Sequence, residues 1–167
     1  MKKSGKTTQS NSAASPKSTA VASNSLTAAD GGTILTDDQM QHLAQSFHDI
    51  SVAIGQVRLD AIKAGVSLTD AAIVQLQGYV FSLKNISDNL AVQSANLTLQ
   101  NADQILNQIS SATQTADHAL DKLANIDKAV QIASAVIVLG AAITTHDPSQ
   151  IENAAKSVIT TCGVSAS

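Results

Sequence analysis

The residue types that hold metals or transfer protons are sparse in this chain. Glu152 is the only glutamate, so no di-metal centre can be built from glutamates and Glu-x-x-His pairs on facing helices. No two histidines lie four residues apart, the spacing at which one helix presents two of them to a metal; they are His42, His48, His118 and His146. The sequence therefore predicts no metal site.

Nucleophilic chemistry is equally unsupported. Cys162 is the lone cysteine, and we interpret it as a small, partly buried side chain. The serines have no nucleophile elbow and no glycine-rich turn that would form an oxyanion hole. Gly5-Lys6-Thr7 matches only the end of a phosphate-binding loop, and His118, between Asp117 and Asp121, fits a solvated surface patch. We expect neither an enzyme nor a cofactor.

The charge distribution argues against nucleic acid as a partner. Residues 1–36 carry four lysines against Asp30, a net charge of +3, and the remainder carries six bases against twelve acids, a net charge of −6. Neither part has the dense basic surface that neutralises phosphates, and aromatic residues for stacking are nearly absent.

Residues 1–35 are rich in Ser, Thr, Ala, Asn and Lys and have few large apolar side chains. Such a segment buries too little surface to offset the entropy of ordering, so we predict a disordered tail. Because no apolar stretch follows Lys2 and Lys3, we expect a protein that is cytoplasmic or is secreted without a cleaved signal peptide.

Residues 36–163 have the pattern of an all-α, coiled-coil-like antiparallel bundle. Thr36 and Gln39 have capping-box spacing, and Gly65 is placed to end the first helix. Ser67 and Asp70 suggest the start of a second helix, inside which Gly78 indicates either a close approach or a tolerated exposed glycine. Asp147-Pro148 predicts the start of a short C-terminal helix. The sequence thus predicts three long helices and one short one.

The second and third helices are separated by an amide-rich segment, residues 85–108, in which the heptad phase slips. The slip fits either a stutter in one continuous helix or a bend near residues 96–101. The sequence leaves both alternatives open.

The third predicted helix contains the longest apolar seam of the chain. Its members recur at alternating spacings of four and three, which places them in one stripe that needs partner helices. We name eight of them the interaction seam: Ile105, Ile109, Ala112, Ala116, Ala119, Leu123, Ile126 and Val130. We expect the closest helix–helix approach at its alanines.

Beyond the seam, residues 129–143 carry no charge and are apolar on nearly every side. A helix of this kind is buried in a core or interface, or it contacts lipid. The residues on which either role would depend are Val136, Ile137, Val138, Leu139 and Ile143. Long amphipathic helices with one such stretch resemble the α-helical pore-forming toxins in general plan, which implies membrane insertion but assigns no individual residue.

Two functions follow as hypotheses. The first is a non-enzymatic module that self-associates into a homo-oligomer or binds a protein partner through its heptad seams. The second is a membrane-active protein, or a secreted effector, that uses residues 129–143.

Overall fold

The computed structural model describes residues 32–93 and 98–163. That part of the chain forms five helices and one short two-stranded sheet. The helices are α1 (Asp37–Lys63), α2 (Ala71–Val92), α3 (Ala102–Asp121), α4 (Ile126–Thr144) and α5 (Pro148–Gly163). Strands β1 (Thr33–Ile34) and β2 (Thr98–Leu99) pair antiparallel. The predicted all-α bundle is confirmed, with one helix more than expected.

Both ends of α1 follow from local chemistry. The Thr36 hydroxyl accepts a hydrogen bond from the Gln39 backbone N–H (3.2 Å), and the Gln39 side chain accepts one from the Thr36 N–H (2.9 Å). Gly65 takes a φ of 97°, which a glycine adopts without strain, and the helix stops there. The predicted capping box and terminating glycine are confirmed.

The start of α2 differs from the prediction. The Ser67 hydroxyl accepts a hydrogen bond from the Thr69 N–H and so forms a local turn instead of a helix cap. Asp70 is the N-cap, since its carboxylate accepts a hydrogen bond from the Ala72 N–H at 2.8 Å. Leu68 lies in the connection before this N-cap and is exposed.

The amide-rich segment contains a break, so the continuous-helix alternative is wrong. Helix α2 ends at Val92, and α3 begins after Asn101, whose φ of 55° is incompatible with continuing a helix. Strand β2 lies between them and pairs with β1. Leu97, in the same amide-rich segment, lies outside the described residues.

The folded domain begins slightly earlier than predicted. Thr33 and Ile34 form β1, and Leu35 is buried in the same hydrophobic core as Leu99. Residues 32–35 therefore belong to the bundle. The rest of the predicted tail, residues 1–31, lies outside the described residues.

The predicted third helix is in fact two helices. The chain leaves α3 at Lys122, and the Asn125 side chain then caps α4 by accepting a hydrogen bond from the Lys128 N–H at 3.1 Å. Leu123 lies in this turn. The regular seam spacing continued through the turn and hid it, because apolar side chains on both sides face the same core.

The five helices form a closed ring in which α1 packs on α2, α2 on α4, α4 on α5, α5 on α3 and α3 on α1. Helix α4 also contacts α1 and α3 across the ring. A helix with neighbours on several sides needs apolar residues around much of its circumference. This position accounts for the apolar residues on the buried sides of α4, while its exposed side carries Gln131, Ser134, Val138 and Ala141.

Candidate interaction surface

The residues of the predicted interaction seam are buried or half-buried in the bundle, and a role of the seam in binding another protein stays a prediction. Ile105, Ile109, Ala112 and Ala116 are buried in α3, and the other four members are half-buried: Ala119, Leu123, Ile126 and Val130. Neighbouring helices of the same chain pack against these side chains. On α4 the buried stripe is also rotated from the predicted one and consists of Ala129, Ile132, Ala133, Val136, Leu139, Gly140, Ala142 and Ile143.

The second predicted segment is divided between core and surface. Val136, Leu139 and Ile143 are buried, Ile137 is half-buried, and Val138 is 56% exposed. Among the described residues, α4 is the one helix long and apolar enough to cross a membrane, and 44% of its most apolar window is buried in the bundle. Core helices of soluble proteins have the same length and composition, so this feature is weak evidence for a membrane role.

Titratable groups do not converge on a chemical site in the described part of the chain. No group of three or more His, Cys, Asp or Glu side chains is placed to hold a metal there. Burial, together with the nearby Asp121 and Asp49 carboxylates, raises the pKa of Asp117. Burial also raises the pKa of the Cys162 thiol, which disfavours the reactive thiolate.

The exposed apolar side chains, in contrast, concentrate on one side of the α1–α2 hairpin. On α2, Val74 is 57% exposed, Phe81 59% and Val92 84%. Their separations of seven and eleven residues correspond to about two and three helical turns. The three side chains therefore form one ridge that points away from the core.

Helix α1 contributes a parallel ridge. Val52 is 59% exposed and Leu59, seven residues later, is 48% exposed. Between the ridges lies an open groove of about 430 Å³, lined by Val52, Gly55, Leu59, Val80 and Phe81 and by polar side chains at its rim. We call the surface formed by Val52, Gly55, Leu59, Val74, Val80 and Phe81 the α1–α2 face.

Hydrogen bonds between the two helices hold this groove in shape. The Arg58 guanidinium donates to the Ile73 carbonyl (3.2 Å) and to the Gln77 side chain (3.0 Å). Further along the hairpin, the buried Ser87 hydroxyl donates to the Ala44 carbonyl at 2.8 Å. The two ridges are thus tied together on both sides of the groove, and a ligand would meet a preformed surface.

The floor of the groove is set by Gly55. A methyl group added there would meet only the Val80 side chain, at an ordinary contact distance of 4.0 Å. Glycine inside a helix costs about 0.5–1 kcal/mol relative to alanine. Packing within the chain therefore does not require glycine at this position. A partner's side chain lying in the groove would favour glycine, because a residue without a side chain leaves it more room.

These residues are absent from the predicted seams because the seams consist of core-facing positions. Val52 and Leu59 repeat at seven residues on the first helix, as do Val74 and Phe81 on the second, in both cases off the core stripe. An apolar heptad pair on a polar face is the signal that could have identified them. Comparison with known proteins finds no matching family model and no curated protein or solved structure with significant similarity to the chain.

Proposed function

We propose that this protein is a non-enzymatic helical interaction module whose α1–α2 face receives an amphipathic helix of a protein partner. The observation that carries the proposal is the exposed position of Phe81 beside an apolar groove. The chain has three aromatic residues, and of these Phe47 is buried and Tyr79 half-buried. Exposed aromatic side chains beside apolar pockets are typical energetic centres of protein interfaces.

The dimensions of the face suit a helix. Val52 and Leu59 are about 10.5 Å apart along α1, at 1.5 Å per residue. A docked helix places its i and i+7 side chains at the same spacing, and amphipathic helices bind hydrophobic grooves through such anchors. Complete burial of a Val, Leu or Phe side chain stabilises a complex by about 1.5–3 kcal/mol. Because these side chains are already about half covered, each would contribute roughly half of that.

Site-specific photo-crosslinking in the producing cells tests the proposal. A photoreactive amino acid replaces Phe81 in one variant and Val138 in the other, a matched control because Val138 is apolar and 56% exposed on α4. We expect adducts of discrete mass from position 81 and none from position 138. Absence of adducts at position 81, or the same adducts from both positions, would contradict an interaction role for the α1–α2 face.

A membrane-active role is the second candidate, and the length and apolar composition of α4 favour it. At 19 residues the helix is about 28 Å long, close to the roughly 30 Å hydrocarbon thickness of a bilayer. Insertion would require α4 to exchange its contacts with the other four helices for lipid.

Dye release from liposomes of neutral and anionic lipid, over a range of pH, tests this candidate. Val138→Lys is the informative variant because the side chain is exposed in the bundle, so folding tolerates the charge. A lysine at the centre of a membrane-spanning helix costs about 2.5–3.5 kcal/mol. Release by the natural chain that Val138→Lys abolishes and Val138→Ser retains is the expected result for a membrane-active protein. Intact liposomes under all conditions would refute the membrane role.

A further inference from the structure

We infer that the occupant of the α1–α2 face is the same face of a second copy of this chain, related to the first by a two-fold axis. In this dimer, Phe81 of each copy enters the groove of the other between Val52 and Leu59, above Gly55. The inference rests on the proposed function and names its partner.

The α1–α2 face is complementary to itself. A two-fold interface uses one surface twice, so that surface must carry both a projection and a recess that accepts it. The ridge of Val74 and Phe81 is the projection, and the groove floored by Gly55 and Val80 is the recess. Both lie on one hairpin, so the two insertions take place together.

The position of Gly55 also favours a second copy as the occupant. A Cβ built on Gly55 would have no neighbour in its own chain closer than 4.0 Å. Glycine destabilises a helix relative to alanine, and no close contact within the chain compensates for that cost here. The contrasting case is Gly140, where a Cβ would lie 2.8 Å and 2.9 Å from atoms of Ile86. Gly140 is accounted for by close packing within the chain. Gly55, unlike the equally open Gly78, lines the groove, so an aromatic ring of a second copy can approach its backbone there.

The exposed apolar area of the α1–α2 face is also close to what a dimer interface needs. Val52, Leu59, Val74 and Phe81 are each 48–59% exposed. Taking roughly 150–200 Å² for a fully exposed side chain of this size, they present on the order of 400 Å² of apolar surface. A standard interface buries about 800 Å² per partner, of which somewhat more than half is apolar. The face thus supplies most of the apolar area that a stable dimer requires.

Sedimentation velocity of the full chain across micromolar concentrations tests the inference. We expect a species of 34.2 kDa, twice the 17.1 kDa of one chain. Phe81→Ser should raise the dissociation constant at least ~30-fold, which corresponds to about 2 kcal/mol at 1.4 kcal/mol per tenfold change. Gly55→Ala should weaken the dimer about tenfold, while its monomer melts at a higher temperature because alanine favours the helix. Val138→Ser is the control and should dimerise like the natural chain.

The Gly55→Ala result separates a lost contact from a damaged fold, since the substitution is expected to stabilise the monomer and weaken the dimer. A chain that is monomeric at every concentration would overturn the inference. A dimer that survives both Phe81→Ser and Gly55→Ala, or that Val138→Ser disrupts equally, would also overturn it.

A mixed-disulfide experiment tests the geometry. In a Cys162→Ser background, Gly55→Cys and Phe81→Cys chains are oxidised separately and as a mixture, at chain concentrations well above the dissociation constants that sedimentation gives for Phe81→Ser and Gly55→Ala. In the mixed dimer, one Phe81–Gly55 contact stays intact. We expect the mixture to form disulfide-linked dimers efficiently, because position 81 of one copy lies above position 55 of the other. No excess of cross-linking in the mixture would refute the arrangement.

The failure of this inference differs from the failure of the proposed function. A monomeric chain whose position 81 still forms one discrete photo-adduct with a different protein overturns the two-fold dimer and retains the interaction module. A monomeric chain without any adduct overturns both.

Discussion

Gly140 lies where α4 packs closely against Ile86 of α2 and Phe47 of α1, and replacing it with alanine should destabilise the bundle. An added Cβ would lie 2.8 Å from Ile86 Cδ1, 2.9 Å from Ile86 Cγ2 and 3.2 Å from Phe47 Cε1. The Cδ1 atom can rotate away, but Cγ2 is attached to a branched Cβ whose χ1 is restricted in a helix. Phe47 is fully buried and has no free space to enter.

The magnitude follows from comparison with Gly78, around which an added Cβ meets nothing within 4 Å. Gly78→Ala should raise the free energy of unfolding by about 1 kcal/mol through helix propensity alone. Gly140→Ala gains the same amount but loses about 1–3 kcal/mol through overpacking. At about 2–4 °C per kcal/mol for a chain of this size, Gly140→Ala should melt several degrees below Gly78→Ala.

Thermal and urea unfolding followed by circular dichroism measure both variants. The double variant Gly140→Ala/Ile86→Ala is the control for mechanism. Because truncating Ile86 removes both clashing atoms, its cost should be smaller beside Ala at position 140 than beside Gly. Equal stabilisation by Gly78→Ala and Gly140→Ala, or no coupling in the double variant, would refute the close approach of α4 to α2.

Three further predictions concern buried groups. Ala116→Leu should lower the free energy of unfolding by about 1–3 kcal/mol, since Ala116 is fully buried in α3; unchanged melting would mean that this face is not packed. Asp117→Asn should raise the melting temperature at neutral pH, because burial first and then Asp121 and Asp49 raise the pKa of this carboxyl and so penalise its charged form in the fold. That gain should disappear as the pH falls through the raised pKa to the ordinary value of 3.8, and a gain independent of pH would contradict the electrostatic cause. Alkylation of Cys162 should be slow in the folded protein and should require a pH above the ordinary thiol pKa of 9.0; rapid modification at neutral pH without denaturant would refute its burial.

The ends of helices were predictable where a single local interaction sets them. Thr36 and Gln39 satisfy each other's backbone groups, and Gly65 supplies a left-handed conformation. Both signals act over a few residues and can be read directly. The turn before Asn125 was missed because this chain also carries asparagines inside its helices, such as Asn85 and Asn89 in α2, and no glycine or proline accompanies Asn125. Only its position between two packed helices selects the capping role.

The location of the proposed interaction surface was not predictable from the strongest pattern. Regular seams such as Ile105–Ile109–Ala112–Ala116 indicate that a helix is packed but do not identify the partner. In a ring of five helices, the other helices of the same chain supply that partner. The α1–α2 face became recognisable only after the structure showed which apolar residues the ring leaves uncovered, Phe81 among them.

The central claim is that the α1–α2 face is covered when the protein is in its working assembly. Maleimide labelling of single cysteines in a Cys162→Ser background tests it most directly, with Val52→Cys on the face compared with Val138→Cys, in the native setting and in dilute purified protein. Val52→Cys keeps Phe81 in place and changes the volume of the side chain little. If more than about nine-tenths of the chains are engaged, position 52 should react at least ~10-fold more slowly in the native setting, while position 138 reacts equally in both. Equal reactivity of position 52 in the two settings would contradict the claim.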